Sequence, residues 1–323
     1  MVGRYSVVLQ RTSRRGGMRF SSVVVRDKYN ARRYWIERRM VRVFTTFLRT
    51  IVSSKSLDEA NTPQRTLASW LAYIPPGMRA WRGYMPGGFA TYHVHAPEVK
   101  GRHTRVKLDA ITRRFFRHTY DAVGLRSRAY ILSWIALAWA EQSKLPVRWL
   151  SIAGGSGLPV YEIFADMPEK IRKNARLKVA DIDQTTLDFA AEIYDLQGIS
   201  IPEVSFEYID ICNTRKRRIL LESYRPSIVD AMGLFEYLDE APAISLIKVI
   251  YKQLPKGGIF VFTNMSPEHP DYAVHKKALQ WPGVIARSES DIAQFLKKAK
   301  IPLACCQAYR AHDKVYTVYK VEK

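Results

Sequence analysis

Apolar and polar positions in the second half of the chain fall into short blocks that alternate between two periods. Apolar runs of six or seven residues at 147–153, 177–182, 204–209, 227–232 and 258–263 read as buried parallel strands. Between them, 158–173, 184–197, 213–222 and 240–254 carry apolar residues at three- and four-residue steps and read as helices. Asp183 stands where an N-cap belongs and Gly198 where a C-cap belongs, and Gly257-Gly258 turns the chain after Leu254-Pro255. This alternation predicts a mostly parallel sheet with helices on both faces. A helix over 288–298 then precedes strands 303–309 and 315–321, joined by the short turn Ala311-His312-Asp313. The expected fold is therefore α/β, a seven-stranded, mostly parallel, doubly wound sheet that ends in an antiparallel hairpin.

The first half reads differently. From Tyr29 to Ile51 the residues Ile36, Met40, Val43, Phe44, Phe47 and Ile51 keep a helical spacing, while Arg32, Arg33, Arg39, Arg42 and Arg49 fill the other positions. The pattern is a basic amphipathic helix. Leu57–Ile74 is a second helical stretch, stopped by Pro75-Pro76-Gly77, and 75–103, rich in Gly, Pro and aromatics, reads as loop. That loop carries His93, His95 and His103 with no cysteine or carboxylate at ligand spacing. Residues 104–123 are periodic again, 124–128 separate them from the apolar helix Ala129–Gln142, and Pro146 marks a boundary. Three regions are expected: a basic, mainly helical N-terminal region (1–103), a helical cap over a pocket (104–145), and the sheet domain (146–323).

Charge sharpens this division. Residues 1–144 hold 27 lysines and arginines against 8 acids, whereas 145–323 hold 24 against 22. Such a basic half attracts nucleic acid, an anionic membrane surface or an acidic substrate, and charge alone does not choose among them. Residues 1–26 contain six arginines and no acid, a composition that reads as a basic tail, a transit peptide or an over-extended start upstream of Met18 or Met40. With 47% hydrophobic and 12% aromatic residues the chain has the makings of a packed core. Its longest nearly uncharged apolar stretch, Ala129–Ala140, is too short to cross a bilayer. Cys212, Cys305 and Cys306 match neither zinc nor disulfide spacing, so no metal is expected and a reduced, cytoplasmic setting is.

In an open α/β sheet a ligand sits outside the carboxyl ends of the strands. The first strand breaks into Gly154-Gly155-Ser156-Gly157 before a helix, a turn whose free N–H groups and helix dipole suit a polar or anionic ligand. The second ends in Asp181-Ile182-Asp183; with Asp183 explained as a cap, Asp181 is the better acceptor for two ribose hydroxyls. The third ends in Asp210-Ile211, an acid and an apolar residue suited to an adenine edge and face, and the fourth in Met232-Gly233-Leu234-Phe235-Glu236-Tyr237-Leu238, a segment that would floor the pocket. Together these suit an adenosine-containing ligand with a zwitterionic tail. The turn lacks the third small residue of a dinucleotide fold, and no lysine follows the glycines as phosphoryl transfer would require.

The segments SIAGG and SGLP, ADID, GLFEYL, and TNMSPEHP followed by Trp281 and Arg287-Ser288 resemble class I S-adenosylmethionine-dependent methyltransferases from about Thr104 onward. Within that class they are similar to a bacterial group that makes extracellular factor 3-hydroxypalmitic acid methyl ester. The resemblance implies a Rossmann-like domain binding S-adenosyl-L-methionine, with Ala153, Gly155 and Gly157 lining the methionine moiety; Gly154 and Met232 are further candidate cofactor contacts. It further implies Asp181 on the ribose and Asp210 with Ile211 on the adenine. Two positions depart from the class pattern, Ser151 where strand one usually carries an acid and Ala153 where the turn usually has its first glycine. For the acceptor side, Arg126, Arg128 and Phe235 are candidate substrate contacts, and Tyr237, Asn264 and His269 candidate catalytic residues. Three functions follow: methylation of a small-molecule acceptor, fatty or hydroxylated and acidic; methylation of RNA or DNA gripped by the basic half; or adenosyl-ligand binding without chemistry. Strand four ends in Asp230-Ala231-Met232-Gly233, not the Asn/Asp-Pro-Pro-aromatic tetrapeptide that holds an exocyclic amine, which counts against the second.

Overall fold

The structure, a computed structural model, describes residues 5–15, 17–52, 66–99 and 106–323. Its strands are β1 (Tyr5–Arg15), β2 (Met18–Asp27), β3 (Arg148–Ile152), β4 (Arg176–Asp181), β5 (Glu203–Tyr208), β6 (Ile228–Ala231), β7 (Ile259–Met265), β8 (Cys306–Ala311) and β9 (Tyr316–Glu322). All nine join one sheet in the order β1-β2-β8-β9-β7-β6-β3-β4-β5. β3 to β7 run parallel, and β9 is antiparallel to both β7 and β8.

The expected seven strands are thus joined by two more. Residues 5–27 form an antiparallel hairpin, and β2 lies parallel to β8 from Arg19↔Gln307 to Val23↔Ala311. Of the arginines that suggested a tail, Arg11, Arg14, Arg15, Arg19 and Arg26 are exposed on it, while Met18, Phe20, Val23 and Val25 are buried in the core. Alternation, not net charge, decides the structure here.

Helices cover both faces of the sheet. On one face α10 (Thr214–Tyr224), α11 (Glu240–Gln253) and α13 (Glu289–Lys298) bury Leu220, Leu246, Ile247, Ile292 and Leu296. On the other, α6 (Tyr120–Gln142), α7 (Leu158–Asp166) and α9 (Gln184–Gln197) bury Ile131, Leu132, Ile163, Phe164 and Leu187. The helix expected over 158–173 stops before Pro168, which disfavours a helical residue ahead of it, and resumes as the single turn α8 (Glu169–Arg172).

The break expected at 124–128 is absent: α6 runs for 23 residues straight through it. Gly124 serves packing instead, because a Cβ there would stand 2.4 Å from Val315 Cβ. Residues 75–99 are likewise not all loop. Pro76 opens α3 (Pro76–Arg82) and Gly87 caps α4 (Gly88–His95), so His93 and His95 lie on a helix; His103 falls outside the described residues. With α1 (Trp35–Ile51), α2 (Leu67–Ala72, the described part of the stretch expected over 57–74) and α5 (Ala110–His118), these helices surround a third apolar cluster that includes Leu48, Met78, Trp81, Phe116 and Trp281. The last of these follows α12 (Tyr272–Val274) and the wider turn His275–Leu279.

Candidate functional site

A cavity of about 430 Å³ opens at the carboxyl ends of β3, β4 and β6, under the roof made by the N-terminal helices and α6. Its size lies within the range of small-molecule sites. At one end lies the turn after β3, where Ala153 (φ 51°) and Gly155 (φ 57°) take left-handed backbone conformations. That bend aims the Gly155 N–H at Asp181, whose Oδ2 accepts it at 3.1 Å while Oδ1 accepts the Asp183 N–H, also at 3.1 Å. Burial pushes the Asp181 pKa up, and these backbone donors oppose the shift. Asp183 caps α9, accepting from Thr185 N–H and Thr186 Oγ1. Gly88, at the start of α4, closes over the turn: a Cβ there would lie 3.0 Å from Gly155 Cα and 2.6 Å from Thr186 Cγ2.

Of the residues singled out for the nucleoside end, Ala153, Gly154, Gly155, Asp181 and Met232 line the cavity. Gly157 sits behind it as the left-handed cap of α7, against the Tyr161 ring. Asp210 is exposed and accepts the Cys212 N–H, and Ile211 is buried in the core, so neither faces the cavity. Ile182 lies there in their place.

The acceptor-side candidates divide more sharply. Arg126 is 1% exposed, ion-paired to Asp27 at 2.7 Å and donating to the Val94, Phe116 and Arg117 carbonyls; it ties helices together and does not face the cavity. Arg128 does line it, paired with Glu236 at 3.1 Å and lying 4.3 Å from the Tyr316 ring centroid. Phe235 is fully buried against Phe262. Asn264 is buried too, donating to the Met265 and Ile285 carbonyls and accepting from Arg287, so it orders a loop. Tyr237 lines the cavity, its oxygen accepting the Trp281 indole N–H at 2.6 Å.

Three carboxylates here have no role of their own in the sequence reading. Asp230, at the end of β6, is 2% exposed, and its oxygens accept from Trp149 Nε1 at 2.5 Å and Ser151 Oγ at 3.2 Å. Burial, only partly offset by these two donors, pushes its pKa up to about 7. A charged residue inside the apolar run 227–232 was the available signal. Glu236 is buried opposite Arg128, and burial raises its pKa against the pull of the guanidinium. Asp121, in the first turn of α6, accepts from both His269 Nε2 at 3.3 Å and His275 Nδ1 at 2.5 Å. Burial alone would raise its pKa, but the two imidazoles hold it well below the usual carboxylate range.

Asp121, His269 and His275 bring three potential metal-ligand atoms within 4.8 Å of one another. The hydrogen bonds argue for another use. His269 Nδ1 accepts the Asp271 N–H at 3.0 Å and so carries no proton; in the neutral ring the proton is on Nε2, facing Asp121. A nitrogen bearing that proton offers no lone pair to a metal. His275 Nδ1 faces the same carboxylate as a donor, leaving Nε2 unprotonated, buried and without a hydrogen-bond partner.

The cavity is acidic and apolar, not basic. Its described lining includes Asp121, Asp181, Asp183, Asp230, Glu236 and Asp271, against one guanidinium, Arg128, and the imidazoles of His95 and His275. His95 is itself paired with Glu162. Beyond the turn the walls are Phe44, Leu48, Met78, Trp81, Phe115, Leu279 and Trp281. On α1, Arg39 is exposed beside Ile36 (65%), Met40 (62%) and Val43 (71%), whereas Arg42 lies over the Tyr120 ring, Arg38 donates to the Tyr29 carbonyl and Arg49 pairs with Asp271. No helix among the described residues is long and apolar enough to cross a membrane.

No family model matches the chain, and no curated protein matches it. Solved structures do. A possible exported protein from Bordetella parapertussis is similar over 89% of this chain and 96% of its own, at 12% identity and a TM-score of 0.58. Magnesium protoporphyrin IX methyltransferase from Synechocystis, with bound SAH, is similar over 76% of this chain and all of its own, at 12% identity and a TM-score of 0.50. These likenesses concern the fold: the mixed α/β architecture is one that a methyltransferase also adopts.

Proposed function

We propose that the chain is an S-adenosylmethionine-dependent methyltransferase acting on an apolar small molecule. The observation that carries this reading is one cavity that holds the Gly155–Asp181 junction at one end and an aromatic and aliphatic chamber at the other. Sharing a fold with a methyltransferase that binds S-adenosylhomocysteine supports it. The donor set also fits the cofactor. Backbone groups of Ala153 to Gly155 suit an amino-acid moiety, Asp181 keeps lone pairs for ribose hydroxyls, and the surrounding carboxylates suit a ligand carrying a sulfonium and an ammonium. When bound, the cofactor supplies an electrophilic methyl group. The chain's own part is to align the acceptor for in-line attack and to exclude water, which the roof of helices and the Gly88 contact favour.

An RNA or DNA acceptor is less well supported, since the cavity's acids would repel phosphates and the basic side chains of α1 lie outside it. Those side chains fit a second reading. The outer stripe Ile36, Met40, Val43 and Phe47 beside Arg32, Arg33 and Arg39 suits an anionic bilayer surface, while the inner residues Phe44 and Leu48 line the chamber. An apolar acceptor drawn from a membrane would then meet the helix that forms the chamber wall.

The deciding experiment incubates the purified chain and methyl-labelled S-adenosylmethionine with a cell lysate separated into lipid, nucleic acid and protein. Label in the lipid or small-molecule fraction is expected. Label confined to nucleic acid overturns the acceptor class, and failure of the protein to bind S-adenosylhomocysteine by calorimetry overturns the whole reading.

A further inference from the structure

We infer that His275, oriented by Asp121, is the general base of the transfer, and that the group methylated is a neutral hydroxyl, phenolic or aliphatic, on an otherwise apolar molecule. The inference rests on the methyltransferase reading and deepens it. Its basis is the hydrogen-bond chain across the far end of the cavity. The Asp271 N–H fixes the His269 tautomer, His269 Nε2–H and His275 Nδ1–H both donate to Asp121 Oδ1, and His275 is left with a bare Nε2. His275 lines the cavity, and that nitrogen is buried with no partner of its own. An unsatisfied buried acceptor is costly, and one set beside an apolar chamber awaits a donor from a ligand. Its ring is held by packing, 6.2 Å from Trp281 and 6.4 Å from Tyr272, centroid to centroid, while the His275 backbone N–H donates to the Asp271 carbonyl.

The charges around it choose the acceptor. A carboxylate needs no base, but it would need a cation. Among the described lining residues Arg128 is the one guanidinium, and it is already paired with Glu236. Asp271 stands beside the dyad with its charge met by Arg49 of α1 at 3.5 Å. An anionic acceptor would therefore face Asp121, Asp271 and Glu236 without a free positive partner among the described lining residues. A neutral hydroxyl is attracted: its O–H donates to His275 Nε2 and its carbon skeleton occupies the apolar walls.

The step balances. The acceptor oxygen attacks the sulfonium methyl, an O–CH3 bond forms as the S–CH3 bond breaks, and the sulfur leaves as a neutral thioether. The hydroxyl proton passes to His275 Nε2, and the resulting imidazolium is stabilised by the Asp121 carboxylate. His269 does not take part in the transfer; it positions Asp121.

Two measurements test this. Long-range proton–nitrogen NMR on the histidine-labelled protein should find His275 protonated on Nδ1 and His269 on Nε2; a proton on His275 Nε2 in the neutral ring overturns the inference. Turnover of the compound labelled in the lysate experiment is then compared for wild type and His275→Gln. Loss of the base should lower kcat by about 10²–10⁴-fold while S-adenosylhomocysteine affinity stays within about twofold. A variant as fast as wild type, or a product that is a methyl ester of a carboxylic acid, overturns the inference. Wild-type protein that does not bind S-adenosylhomocysteine fails the underlying reading instead, and the two failures are told apart by that binding measurement.

Discussion

Replacing Asp230 by Asn should make the folded protein more stable at alkaline pH, because the native carboxylate is ionised at a cost. Its pKa moves from the ordinary 3.8 to about 7 on folding, with burial the dominant cause. A gap of that size corresponds to about 4 kcal/mol against the ionised folded form. Because the folded value is the higher one, the contribution to stability is fully present below about pH 4 and is lost as pH rises through about 7. Asn keeps the contacts: its oxygen can accept from Trp149 Nε1, and its amide can donate to Ser151 Oγ, which then accepts. Urea unfolding of ligand-free wild type and variant at pH 5, 6, 7 and 8 would read the effect. Between pH 5 and 8 the wild type should lose about 2–3 kcal/mol relative to Asp230→Asn, most of it by pH 7. Two curves that run parallel across that range would refute the reasoning, since an Asp230 that ionises freely on folding imposes no such slope.

Other outcomes follow from the same geometry. Asp181→Ala should weaken S-adenosylhomocysteine binding by about tenfold or more in calorimetry, since it removes charge-assisted hydrogen bonds worth about 1.5–3 kcal/mol. Gly124→Ala reverses the usual sign: inside an ordinary helix it would stabilise by up to about 1 kcal/mol, but the added carbon meets Val315, so the thermal midpoint should fall. Val43→Glu, on the exposed stripe of α1, should reduce co-sedimentation with phosphatidylglycerol vesicles and leave the thermal midpoint within the scatter of a surface change. Equal sedimentation of variant and wild type would remove the membrane reading.

The sheet was legible wherever a local pattern and a local cause coincided. The five parallel strands, the C-terminal hairpin, the Asp183 cap and the left-handed Gly198 all follow from period, capping and turn chemistry that act over a few residues. The hairpin of β1 and β2 was hidden because its arginines dominate the composition, while its alternation is shifted by an irregularity between Leu9 and Arg11. Gly124 misled because a glycine that permits close helix packing looks, in sequence, like one that ends a helix. At the site, the Gly155–Asp181 junction was readable as two successive strand ends. Asp121 and His275 were not, and His269 was singled out without its partner, since α6 and the segment after β7 are brought together only by the tertiary fold, about 150 residues apart along the chain. Arg126 shows the reverse error: a basic residue near an expected pocket carries no sign that an aspartate 99 positions earlier will claim it.

The way β2 lies against β8 bears on how the polypeptide acquires this form during synthesis. Ser21 and its neighbour Gln307 are 286 positions apart, so on the ribosome the first hairpin emerges long before the edge it will extend. Until then Met18 and Phe20 have no β8 to cover them, and sheet closure at that side waits for residues 306–311 to emerge. A nascent chain stalled before residue 306 should therefore leave these early residues open to protease, and release of the full-length product should protect them.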